Sequence, residues 1–225
     1  MHTSVIIPAL NEAESIQMVL AAIPSEHVAE ILVVDGGSTD GTPQIAESAG
    51  VRLIQESRRG YGRACLTGAQ AATGDILVFL DADGADDPRH LPALVRPILE
   101  DTADLVLGSR LAGVILPGAM PWHQRLGNWL AARLIRRLYG QPLSDLGPFR
   151  AVRRPKLLQL NLTEMTYGWP TEMIVRAARQ GWRLCEIPVG YRPRQGGQSK
   201  ISGTLRGSVL ATYFILRTIL HYSKE

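Results

Sequence analysis

The feature that most constrains this chain is an alternation in its first hundred residues. Short, unbroken apolar runs occupy residues 4–8, 31–35, 51–55, 76–80 and 104–108. Between them, residues 12–22, 42–49, 62–73 and 91–100 carry helical patterns. A strand that is apolar at consecutive positions leaves no face for water, so it belongs in a sheet covered on both sides. Helices between such strands supply the cover, which predicts an α/β fold with a mostly parallel, Rossmann-like sheet. Ligands of such sheets collect at the carboxyl ends of the strands. There the first, second and fourth runs end in the polar clusters PALNE, DGGSTDGT and DADGADDP.

After about residue 110 the regularity falls. A helix is predicted over residues 122–138, followed by the segment SDLGPFRAVRR and a second helix over 169–180. A short strand at 183–188 leads through the loop YRPRQGGQSK to a last helix ending near residue 222. With 225 residues, no internal repeat and no low-complexity linker, the chain reads as one domain over 1–225. The charge divides it. Residues 1–105 hold 6 basic and 16 acidic side chains, net −10, and residues 106–225 hold 18 and 5, net +13. An acidic half suits metal or cationic groups, and a basic half suits phosphates or an anionic surface. The basic half shows no nucleic-acid recognition motif, so no nucleic-acid partner is expected.

Cys65 and Cys185 stand apart from any CxxC or Cys/His cluster, which argues against a disulfide framework or structural zinc and fits a reducing cytosol. The opening MHTSVIIPALNEAES lacks the basic and long apolar regions of a signal peptide. Two nucleotide signatures fail: there is no GxxxxGK[ST] loop, and Cys65 stands where a third glycine would complete GxGxxG after Gly60 and Gly62. An EF-hand reading of DADGADDPRHLP fails at Ala85, Asp86 and Pro92. What remains is Asp81-Ala82-Asp83 at the end of ILVFL. In extended backbone, residues i and i+2 share a face, so both carboxylates can hold one hard divalent cation facing a diphosphate. An isolated DxD is also ordinary turn composition. Asp35, Asn11 and Glu12 on the same sheet edge favour the functional reading.

These segments together resemble the family 2 glycosyltransferases of GT-A fold, and within them the dolichyl- and polyprenyl-phosphate sugar synthases. The resemblance runs through VIIPALNE (5–12), VDGGSTDGT (34–42), GYGRA (60–64) and DADGADDP (81–88). It continues in GSR (108–110), SDLGPFR (144–150), YGWPTEMIVRA (167–177) and RQGGQSK (194–200). It implies an inverting enzyme whose cofactor is Mg²⁺ or Mn²⁺, held by Asp81 and Asp83. Pro8, Asn11 and Glu12 would shape the nucleoside pocket and Asp35 would contact base or ribose. Arg194 and Lys200 would lie on a loop closing over the donor phosphates, with Gly196 and Gly197 giving it freedom. Arg110, Arg125, Arg194 and Ser199 would meet the acceptor phosphate. Three departures stand out: Gly36 replaces an acidic residue, Ala85 a polar one, leaving water or Asp86 to complete a metal site, and Pro148 a small polar one.

The implied donor is a nucleotide sugar such as GDP-mannose or UDP-glucose, and the implied acceptor is polyprenyl phosphate. A phosphate monoester, with a second pKa of about 6, is already largely ionised at neutral pH and needs no dedicated base. A hydroxyl acceptor needs one, and Asp145 and Glu172 are the candidates. Two alternatives stay open: transfer to a soluble or glycan hydroxyl, and a non-catalytic nucleotide-sugar binder.

Membrane contact follows from the residues themselves. At 100° per residue, Leu130, Ala131, Leu134, Ile135 and Leu138 share one face of the 122–138 helix. Trp122, Arg125, Trp129, Arg133 and Arg136 share the opposite face, a mixture suited to a bilayer interface. In the last helix only ten residues separate Arg206 from Arg217, against the roughly 20 that span a bilayer, so it should lie on a membrane or pack on the domain. The expected location is cytoplasmic, peripheral on the cytoplasmic face of the membrane.

Overall fold

A computed structural model describes residues 1–196 and 205–223, with the backbone alone for 205–211. Four βα units open the chain: β1 (Thr3–Ala9) and α1 (Ile16–Ala22), β2 (Val28–Asp35) and α2 (Thr42–Ser48), β3 (Arg52–Gln55) and α3 (Tyr61–Ala71), β4 (Ile76–Phe79) and α4 (Leu91–Leu99). They are followed by β5 (Leu105–Ser109), α5 (Trp122–Tyr139), β6 (Arg150–Arg153) and α6 (Arg154–Gln159). The described chain closes with α7 (Trp169–Arg179), β7 (Leu184–Pro188) and α8 (Leu205–Tyr222).

The seven strands form one sheet in the order β3-β2-β1-β4-β6-β5-β7. Alternation along each strand divides the core. Ile6, Leu32, Leu77 and Phe79 face one layer, with α3, α5, α7 and α8; Val5, Ile7, Val33 and Val78 face the other, with α1, α2 and α4. At Gly68 of α3 an added Cβ would lie 2.5 Å from Ile6 Cγ2, so this helix rests directly on β1.

β6 departs from the sequence expectation, which left residues 150–153 without an element. It pairs antiparallel with both β4 and β5. Four residues, RAVR, with charges at both ends give no strand signal; the flanking strands impose the conformation. A second difference lies at α1, predicted from residue 12 but starting at Ile16. Asn11 takes a left-handed φ of 52°, and the Glu12 carbonyl accepts from Ser15 and Ile16 before the helix begins.

Because β1, β2, β4, β5 and β7 all run one way, their carboxyl ends share an edge. Neighbours β2 and β3 lie to one side of β1 and β4 to the other, so the chain reverses its winding beside β1. That is where an open α/β sheet leaves a crevice. β6 starts at this edge, with Arg150 opposite Phe79 and Leu107.

Candidate active site

At the crevice the loop after β1 is laced to the loop after β2. Pro8 sits opposite Val34 near the strand end. Asn11 N–H donates to Ser38 Oγ at 2.8 Å, and its Oδ1 accepts from Thr39 N–H at 2.8 Å. Glu12 N–H donates to Thr42 Oγ1 at 2.8 Å. Asp35 is buried: its Oδ2 accepts from the N–H groups of Gly37 and Ser38 at 3.0 Å each, while its Oδ1 has no partner among the described residues. A buried acceptor left open at a strand end is a place for a ligand's N–H or O–H.

The carboxylate pair stands one strand away. Ala82 is buried between Asp81 and Asp83, and its carbonyl accepts from Ser15 Oγ at 2.8 Å. Asp83 Oδ1 accepts from Ala85 N–H at 2.9 Å and its Oδ2 from Arg194 Nη1 at 3.2 Å. Arg194 Nη2 donates to Glu12 Oε2. Asp81 Oδ1 accepts from the Tyr61 hydroxyl at 2.9 Å. Burial first and the neighbouring Asp83 charge second push the Asp81 carboxyl up, while the tyrosine hydroxyl opposes them. A buried carboxylate beside a second negative charge marks a place that gains from a cation.

Tyr61 owes its place to the GYG turn. Gly60 has a φ of 141°, and a Cβ at Gly62 would fall 2.6 Å from both the Trp169 Cβ and the Glu164 carbonyl oxygen. Neither position accepts a side chain without backbone movement. Trp169 in turn meets Phe79 edge-on at 4.9 Å, so α7 braces the end of β4. Arg150 lies fully buried, its guanidinium donating to the carbonyls of Gly147 and Pro148 and, at 2.8 Å, of Pro170. Burial pulls its pKa down to about 10.

Arg110 and Asp145 occupy the same edge but not as open groups. The guanidinium grips the carboxylate at 2.7 and 2.8 Å, the Arg110 N–H adds a third bond at 2.9 Å, and the residues are 5% and 1% exposed. Burial alone would raise the Asp145 pKa, yet Arg110 holds it below its ordinary value. The two neutralise each other, so neither the acceptor-phosphate cation nor the base expected from the sequence stands here as an open group. Glu172, the other candidate base, is paired likewise. It is fully buried on α7, accepting from the backbones of Thr163 and Glu164 and from the Tyr222 hydroxyl at 2.6 Å, and it forms an ion pair with Arg176 at 2.9 Å. Asp86, a substitute metal ligand in the sequence reading, is 2% exposed, and burial pushes its carboxyl well up toward the neutral form.

Arg125 is exposed on the first turns of α5. Ser199, Lys200 and Gly197 lie outside the described residues. Tyr61, Arg150 and Trp169 were not assigned roles from the sequence, although GYGRA, SDLGPFR and YGWPTEM flagged their segments. Among the described residues no three acidic, histidine or thiol side chains converge as a ready cation site. One or two carboxylates with phosphate oxygens and water completing the shell is the arrangement magnesium favours, and Asp83 with Asp81 fits it.

α5 packs against α8 and the core. Gly127, Ala131 and Ile135 form the narrow stripe that α8 and the core cover; a Cβ at Gly127 would lie 3.0 Å from Thr212 Oγ1. Ala132 is buried as well and Leu134 partly so, while the opposite side of the helix stands in solvent. Trp122 is 72% exposed, Trp129 51%, Leu126 48% and Leu130 43%. Of the face shared by Leu130, Ala131, Leu134, Ile135 and Leu138, Ala131 and Ile135 are buried, while Leu130 and, in the last turn, Leu138 are exposed. α8 packs on the domain: Tyr222 reaches Glu172, and the Ile219 carbonyl accepts from the Tyr139 hydroxyl at 2.6 Å. No helix among the described residues is long and apolar enough to cross a membrane.

A single family model, described as Glycosyl transferase family 2, matches residues 4–160, from β1 through α6. The chain belongs to glycosyltransferase family 2. Its fold is of the GT-A type. This glycosyltransferase is 44% identical over 210 residues to an uncharacterised glycosyltransferase of Mycobacterium bovis, covering 92% of this chain and 93% of the relative. It is 32% identical to the undecaprenyl-phosphate mannosyltransferase of Micrococcus luteus, over 93% of this chain and 91% of that one. Among solved structures it resembles glucosyl-3-phosphoglycerate synthase of Mycobacterium tuberculosis, bound to Mn²⁺, UDP and glucosyl-3-phosphoglycerate. The TM-score is 0.80 at 25% identity, covering 99% of this chain and 80% of that one.

Proposed function

We propose that this glycosyltransferase moves a hexose, with inversion, from a nucleotide diphosphate sugar to polyprenyl phosphate at a membrane surface. The observation that carries the acceptor class is the outward face of α5. Tryptophan, leucine and arginine side chains stand in solvent there, with Arg133 lying over the Trp129 ring at 5.6 Å. Val114 and Leu116, in the segment between β5 and α5, are also 68% and 48% exposed. Such a face suits a headgroup region, where rings and aliphatic chains enter the interface and guanidiniums meet phosphates. The protein would sit peripherally on the cytoplasmic face.

On the donor side, the open Oδ1 of Asp35 would accept from the base or ribose, beside Pro8 and Asn11. A divalent ion, Mg²⁺ or Mn²⁺, held by Asp83 with Asp81 would neutralise the diphosphate as it leaves. Tyr61 keeps Asp81 in place, and Arg194 supplies cationic donors to the phosphates. An ionised acceptor phosphate attacks without a base, which agrees with Asp145 and Glu172 both being buried and fully engaged. Of the residues the resemblance assigns to the acceptor phosphate, Arg125 and Arg194 would orient it; Ser199 lies outside the described residues.

A second reading, transfer to a soluble hydroxyl acceptor, is favoured by the likeness to glucosyl-3-phosphoglycerate synthase, solved with phosphoglyceric acid and UDP-glucose. One assay separates them. The protein is incubated with GDP-mannose or UDP-glucose, Mn²⁺ or Mg²⁺, and either short-chain polyprenyl phosphate or phosphoglycerate. A glycosylated lipid phosphate is the expected product. Sugar transfer to phosphoglycerate alone overturns the lipid reading.

A further inference from the structure

Arg194 sits between two carboxylates at the centre of the crevice. Its Nη1 donates to Asp83 at 3.2 Å, its Nη2 donates to Glu12, and its Nε donates to the Gly196 carbonyl at 2.6 Å. The arginine side chain is 20% exposed, that of Asp83 19% and that of Glu12 8%, so water and salt screen these contacts less than a surface pair. The backbone holds the guanidinium there. Gln195 N–H donates to the Asp83 carbonyl at 3.0 Å, and Arg192 N–H donates to the Ala85 carbonyl at 2.9 Å. Residues 191–196 thus run as a strap along the turn that carries the carboxylate pair.

Glu12 and Asp83 already share one cation, the Arg194 guanidinium, and Asp81 stands two residues before Asp83 at the end of β4. We propose that Arg194 is a built-in counter-cation, competing with the divalent ion for Asp83 and Glu12, and that ion entry releases it toward the donor diphosphate. The proposal rests on the metal-dependent reading given above. It makes Glu12 a second cation-facing carboxylate, besides its place beside the nucleoside pocket. It also couples the ligands: an arginine displaced by the ion gains new partners in the diphosphate, so ion and nucleotide each favour the other's binding.

Binding of Mn²⁺ alone, followed by the electron paramagnetic resonance of the free ion, tests this. Wild type, Arg194→Ala, Arg194→Gln and Arg192→Ala are compared with and without GDP or UDP. Without nucleotide, both Arg194 variants should bind Mn²⁺ about tenfold tighter than wild type, the value of one charge-assisted hydrogen bond. Arg192→Ala removes the same charge from the same strap, but its side chain pairs with Asp87 at 3.3 Å, so its affinity should stay within about twofold. With nucleotide, wild type should gain more Mn²⁺ affinity than the Arg194 variants. Equal or weaker Mn²⁺ binding by the Arg194 variants, or an equal gain in Arg192→Ala, overturns the counter-cation role alone if turnover still requires Mn²⁺. Absence of Mn²⁺ binding to wild type with nucleotide present overturns the metal-dependent reading and this proposal together.

Discussion

The Tyr61 hydroxyl donates to Asp81, and removing only its oxygen isolates what that bond contributes. Tyr61→Phe is expected to cost about 1 kcal/mol of stability or less, and to lower kcat about tenfold with a smaller change in donor KM. Steady-state kinetics with a denaturant titration check this; unchanged kcat removes Tyr61 from the site. Arg110 and Asp145 call for the opposite outcome. Asp145→Ala leaves the Arg110 guanidinium buried and unpaired, so a loss of about 3–5 kcal/mol is expected in urea unfolding. A variant as stable as wild type but inactive would return Asp145 to the chemistry. At this scale the sequence showed which residues are acidic and where strands end, enough to find Asp35, Asp81 and Asp83. It did not show pairing. Asp145 and Asp83 look alike in one dimension; the fold pairs Asp145 with the buried Arg110 and Asp83 with Arg194 of the segment after β7.

Elements show where local pattern suffices and where it fails. The strands with continuous apolar runs and the helices between them were legible because burial on both faces is written into their composition. β6 was not, because its pairing partners rather than its own residues make it a strand. The wheel of α5 separated a Trp/Arg face from an apolar one, but a wheel alone does not tell how much of the apolar face a neighbour covers. Ala131 and Ile135 are buried and Leu134 partly so, whereas Leu130 and Leu138 stand 43% and 41% exposed. The consequence is a stronger membrane expectation. Binding to anionic vesicles should fall as salt rises and fall further in a Trp122→Ala/Trp129→Ala double variant, each basic side chain contributing about 1 kcal/mol near the surface. Co-sedimentation that is absent at low salt, or unchanged in the double variant, contradicts it. The turn before α3 gives a packing test. Gly62→Ala forces Trp169 and the Glu164 carbonyl apart and should destabilise by about 1–3 kcal/mol, read from thermal unfolding.

For the whole molecule, the charge division runs along the functional axis: an acidic half carries the carboxylate site, and a basic half carries α5 and the strap. The end of the sheet away from the site is fastened by Asp104, buried and held well below the ordinary carboxylate range by Arg183, with Lys156 at 3.0 Å. A depressed folded-state pKa gives stability above the unfolded value of about 4 that is lost as pH falls toward the folded value. Wild type should therefore lose stability steeply below pH ~4. Asp104→Asn should be about 2 kcal/mol less stable at neutral pH and show a flatter acid limb; identical acid limbs contradict this. The central claim is that the Asp81–Asp83 edge neutralises a nucleotide diphosphate during sugar transfer to a lipid phosphate. It is tested most directly by Asp83→Ala in the assay with polyprenyl phosphate, nucleotide sugar and Mn²⁺, with circular dichroism confirming the fold. Loss of lipid glycosylation by at least about 10²-fold with an intact fold is the expected result. Mn²⁺-dependent turnover within a few-fold of wild type would contradict it.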